Sequence, residues 1–324
     1  MRRIYIDRRH SQLSIKQGRL EVRWPGQQQL VHFPLQQLTA VVAVVHVQLS
    51  TAVLFELQHR GIDFMSISRR KGYSGMLLTS ASHGHVKRQQ KQAVLAAEPN
   101  SCLELAKRIV HSRLRQQHHL LKAIYRKRPD LAISMLNGMS QIAGTLKKVD
   151  QARTLKGVRG LEGAATASFF AAYQTAFAAS LGFNKRKRRP PTDPVNALLS
   201  YTYTLVTKEA ESILFSVGLN PNWGALHQLS YGRPSLACDL TELLRSRVER
   251  FVWRIFADQA LRVHHFAEKG PECLLTKAGK QLYFPLYEQE APCWRQLMRR
   301  IALRWVRELD QREVPEQLSL DLAS

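Results

Sequence analysis

The residues most able to perform chemistry are two carboxylates in the last third of the chain. Asp239 and Glu242 are three positions apart, so in a helix they lie one turn apart and face the same way. Apolar positions between 240 and 252 form the adjacent core stripe, which puts both carboxylates at the margin of a core. Because two partly desolvated like charges repel each other, we expect a cation to neutralise them.

A glutamate and a histidine elsewhere in the chain are candidates to join this pair. Glu162 belongs to a helical stripe that is otherwise suited to burial and that includes Thr166, Phe169, Tyr173 and Phe177. A carboxylate in the first turn of a helix, stabilised by the helix dipole, would explain Glu162 equally well. His227 follows the turn-rich segment 218–224, where a lone histidine usually has a structural role, but the carboxylate pair begins twelve residues later.

Several carboxylates with one imidazole suit a hard or borderline divalent cation. Mg²⁺ and Mn²⁺ are the natural choices, whereas zinc would be expected to draw more His or Cys ligands. Such an ion polarises a phosphodiester and stabilises the attacking and leaving oxygens during in-line displacement. The residues therefore favour metal-dependent phosphodiester chemistry without distinguishing a nuclease from an integrase.

The composition indicates a polyanionic partner. The 48 Lys and Arg residues exceed the 25 Asp and Glu residues, which gives a formal net charge of +23. An excess of this size is usually tolerated because the working partner is a polyanion, here nucleic acid or, as the alternative, an anionic membrane surface. The most apolar stretch, 40–45, is too short to span a bilayer, and the N-terminus has no apolar signal core. We therefore expect a cytoplasmic protein without membrane contact.

Two basic segments are candidates for contact with DNA phosphates. The segment 105–129 contains eight basic residues and no acidic one, with a solvated helix face as the alternative interpretation. The segment 185–189 has five adjacent cations, which predicts a loop that clamps the DNA backbone, with a nuclear-address signal as the alternative. The residues expected to bind DNA are Lys185, Arg186, Lys187, Arg188, Arg189 and Arg245.

The first part of the chain, 1–85, has the pattern of a strand-rich domain. Short apolar segments with a period near two are separated by Gly and Pro, which predicts antiparallel strands in a small β-sandwich-like domain. One helix, 51–59, is predicted between a capping Ser50 and a terminating Gly61. The predicted strands are 4–6, 13–15, 20–24, 30–33, 40–47, 62–67 and 76–78.

The remainder of the chain changes to a helical period. From 86 to 307 apolar residues recur at three- and four-residue steps, which predicts a larger all-α catalytic domain and an α+β class overall. The last segment, 308–324, inverts the local charge and is predicted to be an acidic, solvated tail, with docking into a partner through Val314, Leu318, Leu320 and Leu322 as the alternative. Interruptions of the helical pattern are expected at 157–160, 190–191, 221–224 and 232–234.

Three segments around the candidate residues carry a family resemblance. They are 160–165 (GLEGAA), 189–201 (RPPTDPVNALLSY) and 218–242, which contains GLNP, Leu226-His227 and GRPSLACDLTE. In order and spacing they resemble the Cas1 family, the CRISPR-associated endonucleases and spacer-acquisition integrases. A weaker family segment is similar to 275–279. Where the family often has a basic residue and an aromatic hydroxyl after the glutamate, this chain has Ala167 and Phe169, and the nearby hydroxyls are those of Tyr173, Tyr201 and Tyr203.

The resemblance implies specific roles for the candidate residues. Glu162, His227 and Glu242 would be ligands of Mg²⁺ or Mn²⁺, and Asp239 would be a neighbouring acidic residue important for activity. It further implies a homodimer that assembles with the small Cas2 protein on double-stranded DNA and inserts short foreign fragments into a CRISPR array, as antiviral defence requires. A structure-selective DNA nuclease and a non-catalytic DNA-binding scaffold remain the alternatives.

Overall fold

The computed structural model describes residues 2–68, 74–78 and 85–312 and divides the chain into two units, Met1–His83 and Gly84–Ser324. A strand-rich first unit precedes a larger helical unit, which confirms the predicted α+β class. None of the helices in these described ranges has both the length and the apolarity needed to cross a bilayer.

The first unit contains two four-stranded sheets. One sheet has the order β1-β5-β7-β8 and the other the order β4-β3-β2-β6. The strands and the α-helix among the described residues of this unit are β1 (Arg2–Ile6), β2 (Ser11–Lys16), β3 (Arg19–Arg23), β4 (Leu30–Pro34), β5 (Leu38–Ala43), β6 (Val47–Leu49), α1 (Thr51–His59), β7 (Asp63–Ser68) and β8 (Ser74–Leu78).

Two expectations for this unit are corrected by the sheet topology. The strands β1, β5 and β7 are parallel, as are β2 and β6, so the sheets are mixed and not simply antiparallel. Parallel pairing is reached because α1 lies in the connection that leads from β5 to β7 and returns the chain to the same end of the sheet. The predicted strand 40–47 is two strands, β5 and β6, because the chain bends at 44–46 and passes from one sheet to the other.

One apolar core holds the first unit together. It draws on β1, β3, β7 and α1 through Ile6, Leu20, Leu57 and Phe64, each of which is buried. The core also contains Ile4, which alternates with an outward residue before Ile6 in β1, and Val53, which lies one turn before Leu57 on the same face of α1. Gly61 ends α1 with a φ of 66°, a left-handed conformation that glycine adopts without steric cost.

Helices build most of the second unit. Their bounds are α2 (Val86–Ala97), α3 (Pro99–Lys127), α4 (Ala132–Gln151), α5 (Leu155–Tyr173), α6 (Pro194–Ser216), α7 (Ser235–Glu242), α8 (Arg245–Ala257) and α9 (Lys277–Asp310). The unit is not all-α, because β9 (Phe266–Lys269) and β10 (Glu272–Leu275) form an antiparallel hairpin.

The helix that carries Glu162 begins earlier than the glycine pattern predicts. Thr154 caps α5 by accepting a hydrogen bond from the backbone N–H of Gly157 at 3.1 Å, and the helix continues through 157–160 without a break. The predicted interruption there is wrong, since two glycines weaken a helix by only about 1 kcal/mol each and α5 packs along both α3 and α4. Gly138 of α4 makes this packing close, because a Cβ there would lie 2.8 Å from that of Ala172.

The acidic segment at the end of the chain begins inside a helix. α9 continues through Asp310, so residues 308–310 are helical and not part of a solvated tail. Glu308 pairs with Arg108 at 2.9 Å and Asp310 pairs with Arg88 at 2.8 Å, which ties the end of α9 to α3 and α2. The predicted tail beyond 312 lies outside the described residues.

Candidate active site

Asp239 organises the loop that presents His227. The Asp239 carboxylate is fully buried in α7 and accepts backbone hydrogen bonds from Ala225 at 2.7 Å, Leu226 at 3.0 Å and His227 at 3.0 Å. Gly224 allows this loop to lie against the start of α7, because a Cβ there would be 2.6 Å from the carbonyl carbon of Ser235. The buried carboxylate therefore replaces the hydrogen bonds that these loop amides would otherwise make with water.

The same carboxylate fixes the imidazole of His227. The Nδ1 of His227 lies 2.7 Å from Oδ1 of Asp239, and a carboxylate acceptor places the proton on Nδ1. Nε2 then keeps its lone pair, and the side chain of His227 is 29% exposed. Burial raises the pKa of Asp239 above its ordinary value, although the hydrogen bond from His227 opposes this. Asp239 thus positions the histidine, while the histidine presents a free ring nitrogen.

Arg159 joins this loop to the helix of Glu162. It lies one turn before Glu162 on α5, and its Nε donates a hydrogen bond to the carbonyl oxygen of Leu226 at 2.7 Å. Glu162 lies in the third turn of α5, so the dipole of a first turn does not explain its position. Its Oε1 accepts a hydrogen bond from Thr166 at 3.0 Å, and its side chain is 22% exposed. The predicted stripe of α5 is therefore real, and Glu162 faces the edge of the core.

Arg113 of α3 lies between the two glutamates. Its guanidinium is 1% exposed; Nη1 donates a hydrogen bond to Oε1 of Glu162 and lies 2.6 Å from Oε2 of Glu242. Gln116, on the next turn of α3, donates a hydrogen bond to the carbonyl oxygen of Leu243 at 3.1 Å and so holds the end of α7 against α3. Residues from α3, α5 and α7 thus meet at one point.

Arg245 neutralises the second oxygen of Glu242. Its Nη1 donates to Oε1 of Glu242 at 2.9 Å, and its guanidinium packs 4.6 Å from the ring centroid of Tyr203. Burial by itself would raise the pKa of Glu242, but the positive charges of Arg113 and Arg245 outweigh it and hold that pKa below its usual value. Arg245, predicted to contact DNA, is therefore bound to an acidic residue of the site.

The hydroxyls of Tyr173 and Tyr203 stabilise the structure around the site. Tyr173 donates to the carbonyl oxygen of Glu249 at 2.7 Å, and Tyr203 donates to Oε1 of the same residue at 2.9 Å. Glu249 is fully buried, and burial raises its pKa. The Tyr203 hydroxyl therefore stabilises a buried carboxyl, and the Tyr173 hydroxyl fixes the backbone of the same residue.

The loop 185–189 is held by the first turn of α6. Asn196 donates to the carbonyl oxygen of Lys185 at 2.8 Å and accepts from the backbone N–H of Lys187 at 2.9 Å. Arg186 turns inward, donating to Oδ1 of Asn196 at 2.8 Å and to Ser200 at 3.1 Å, and burial lowers its pKa to about 10. The side chains of the loop that remain exposed are Lys185, Lys187, Arg188 and Arg189.

Arg188 connects this loop electrostatically to the site. The positive charge of Arg245 is the largest cause of its lowered pKa, and the negative charge of Glu242 acts in the opposite direction. Its exposed side chain, whose charge acts on that of Glu242, is suited to hold a phosphate.

The donor set suits a divalent cation chemically, but Arg113 stands between its members. Two carboxylates and a free imidazole nitrogen are the ligand types expected for Mg²⁺ or Mn²⁺. Among the described residues, no three His, Cys, Asp or Glu side chains converge closely enough to hold an ion. Sequence analysis grouped Arg113 with the other cations of the segment 105–129. Its position on the apolar stripe of α3, between Ile109 and Leu120, is the sequence feature that could have identified it as buried.

Comparison with known proteins identifies the family. The family model described as CRISPR associated protein Cas1 matches residues 4–289. CRISPR-associated endonuclease Cas1 1 of Thermodesulfovibrio yellowstonii is 33% identical over 96% of this chain and 99% of its own length. CRISPR-associated endonuclease Cas1 3 of Thermus thermophilus is 32% identical over 75% of this chain and 70% of its own length. The chain belongs to the Cas1 family, as the resemblance predicted.

Solved structures share the fold. A Cas1 protein from Thermotoga maritima has a TM-score of 0.79 at 21% identity, covering 97% of this chain and 98% of its own. A casposase bound to integration product has a TM-score of 0.81 at 17% identity, covering 97% and 95%. A Cas6-RT-Cas1–Cas2 complex has a TM-score of 0.82 at 22% identity, covering 95% of this chain and 35% of that one.

Proposed function

We propose that this chain is a divalent-metal-dependent DNA integrase and endonuclease that inserts short foreign-DNA fragments into a CRISPR array. The observation that carries the proposal is the imidazole of His227, fixed by Asp239 and carried by a loop that Arg159 ties to the helix of Glu162. Its relatives are named CRISPR-associated endonucleases, and one structural neighbour is named as bound to an integration product.

The proposed reaction is transesterification. A 3′-hydroxyl of the incoming fragment attacks the phosphorus of a phosphodiester at the repeat boundary; a new P–O bond forms and the bond to the old 3′-oxygen breaks. Glu162, His227 and Glu242 would hold Mg²⁺ or Mn²⁺, which stabilises the attacking and leaving oxygens when bound. Water in place of the hydroxyl would give endonuclease activity at the same site.

The partners follow from charge and from the relatives. Exposed Lys185, Lys187, Arg188 and Arg189 would hold double-stranded DNA by its phosphates. Structural neighbours include Cas1–Cas2 and Cas1–DNA complexes, so we propose that a homodimer of this chain works with a Cas2 protein on fragment and repeat DNA. We propose the cytoplasm as its location, because an enzyme that integrates fragments into array DNA must share a compartment with that DNA.

Glu162→Gln tests the catalytic assignment. We expect the variant to lose strand transfer with Mn²⁺ while it binds duplex DNA as the parent does, because the change removes one charge and keeps the side-chain shape. Glu308→Gln, which alters an exposed glutamate paired with Arg108, is the matched control and should leave strand transfer unchanged. Strand transfer at the parental rate in Glu162→Gln would favour a non-catalytic DNA-binding scaffold.

DNA with blocked 3′ ends separates an integrase from a structure-selective nuclease. Blocking removes the attacking hydroxyl, so joining of fragment to repeat should stop while hydrolytic nicking continues. If the unblocked fragment is never joined and only nicked products form, the nuclease alternative is correct.

Neutralising Lys187 should reduce the slope of log affinity for DNA against log salt concentration by about 1, as loss of one phosphate contact does.

A further inference from the structure

Arg113 is a buried cation held between the two acidic residues of the proposed metal site. Three helices bring its Nη1 into contact with Glu162 and Glu242, and its side chain is 1% exposed. Within the described part of the chain, Nε and Nη2 have no hydrogen-bond partner although they are buried. Burial of a guanidinium with unbonded N–H groups is costly, so the attraction of the two carboxylates must hold it there.

The oxygen that Arg113 faces is the one that a divalent cation would need. Oε1 of Glu242 already accepts a hydrogen bond from Arg245, and Oε2 lies 2.6 Å from Nη1 of Arg113. Mg²⁺ binds oxygen at about 2.0–2.1 Å, so it cannot bind Oε2 while a guanidinium nitrogen stays at that distance on the same side. Because both are cations, their mutual repulsion adds to the steric conflict.

We propose that Arg113 and the divalent cation are alternative occupants of the space between Glu162 and Glu242. The guanidinium neutralises the two carboxylates when the metal is absent and withdraws when the metal binds. Arg113 therefore weakens metal binding and protects the metal-free site from the repulsion of its own acids. This inference rests on the proposed function, since it assumes that these two glutamates bind the metal.

A second arginine, which is half-buried, provides a matched control. Arg295 of α9 also lies between two glutamates, but both of its Nη nitrogens donate hydrogen bonds: to Glu209 at 2.8 Å and to Glu288 at 2.5 and 2.9 Å. Arg295→Met removes the same charge from the same kind of pair. It therefore reproduces the loss of stability without touching the proposed metal site.

The experiment measures Mn²⁺ binding by titration calorimetry and the melting temperature of the full chain without DNA. We expect Arg113→Met to melt below the parent without metal, to bind Mn²⁺ at least about tenfold more tightly, and to gain more in Tm from Mn²⁺. Arg295→Met should also melt at a lower temperature but bind Mn²⁺ with the parental Kd. The double variant Arg113→Met with Glu162→Gln should lose the Mn²⁺ response.

The possible failures are distinguishable. If Arg113→Met binds Mn²⁺ as the parent does, or more weakly, the two cations coexist and this inference is wrong, while the proposed metal site stands. If neither parent nor variant binds Mn²⁺, the proposed metal-dependent function fails with it. Should Arg113→Met not fold, a crystal structure of the parent soaked in Mn²⁺ decides the question: a guanidinium still contacting both glutamates beside a bound ion contradicts the inference.

Discussion

Two arginines of the helical unit, the buried Arg113 and the half-buried Arg295, solve the same problem in different ways. Each neutralises two glutamates that come from separate helices or turns. Arg295 does so with both Nη nitrogens, including a two-pronged contact with Glu288, and the hydrogen bonds and charges of its partners raise its pKa against the opposing effect of burial. Arg113 does so with the N–H groups of Nη1, and its Nε and Nη2 are without partners in the described residues.

This difference is the one that the proposed exchange of Arg113 for a metal ion requires. Both Nη nitrogens of Arg295 donate hydrogen bonds and, within the described residues, its Nε alone has no partner, whereas Arg113 leaves both Nε and Nη2 unbonded, which lowers the cost of its leaving. The surroundings of the two arginines also differ. Near Glu162, Arg159 holds the loop that carries the oriented imidazole of His227. The Arg295 cluster packs instead against the ring of Tyr287 at 6.0 Å.

The largest expected effect is the loss of folding stability when Arg295 is replaced. Arg295→Met should reduce the free energy of unfolding by about 3–5 kcal/mol, because it removes the cation that pairs with the buried Glu209. Urea denaturation with and without Mn²⁺ measures the loss, and the metal should not restore it. Adding Glu209→Gln and Glu288→Gln to the variant should recover most of the stability. A loss below about 1 kcal/mol, typical of an exposed pair, would remove the distinction between the two arginines.

The next largest effect is expected at the contact between Asp239 and His227, which has no counterpart around Arg295. Asp239→Asn should weaken Mn²⁺ binding by about 10–100-fold, as changes to groups that orient a metal-binding histidine typically do. Titration calorimetry measures the change. Asp193→Asn is the control: it alters another buried carboxylate that accepts a backbone hydrogen bond, at the start of α6, so it should reduce stability by about 1 kcal/mol and leave Mn²⁺ affinity alone. Equal Mn²⁺ affinity in Asp239→Asn and the parent would show that Mn²⁺ binding does not depend on the contact between Asp239 and His227.

The smallest effect is expected where an arginine pairs with a glutamate in water. Arg108→Met should cost less than about 1 kcal/mol, because Arg108 and Glu308 are exposed and screened. The hydrogen bond from Arg108 lowers the pKa of Glu308 from 4.5. The pair's contribution is therefore complete above pH 4.5 and lost as the pH falls through the lowered value. Parent and variant should converge in unfolding free energy in acid; a difference that grows there would contradict this.

The amino-acid sequence by itself determined most of the local structure and the identity of the candidate residues. The alternation of apolar residues predicted β1–β4, α1, β7 and β8 close to their observed bounds, because strand and helix periods depend on neighbours along the chain. The spacing of Asp239 and Glu242 predicted a shared helix, and the motifs around Glu162 and His227 predicted the family, which is confirmed. The helix interruption predicted at the glycines of 157–160 is wrong, because packing of α5 against α3 and α4 overrides the low helix propensity of glycine.

The tertiary structure decided which residues touch and what each one does. Sheet order and the parallel pairing of β1, β5 and β7 depend on how the chain crosses over, which no periodicity records. Asp239 and Glu242 share a face of α7, but one turns to the loop of His227 and the other to Arg113 and Arg245. Arg113 is 49 residues from Glu162. A charge so distant in sequence becomes a partner only when three helices pack, because electrostatic energy depends on distance in space.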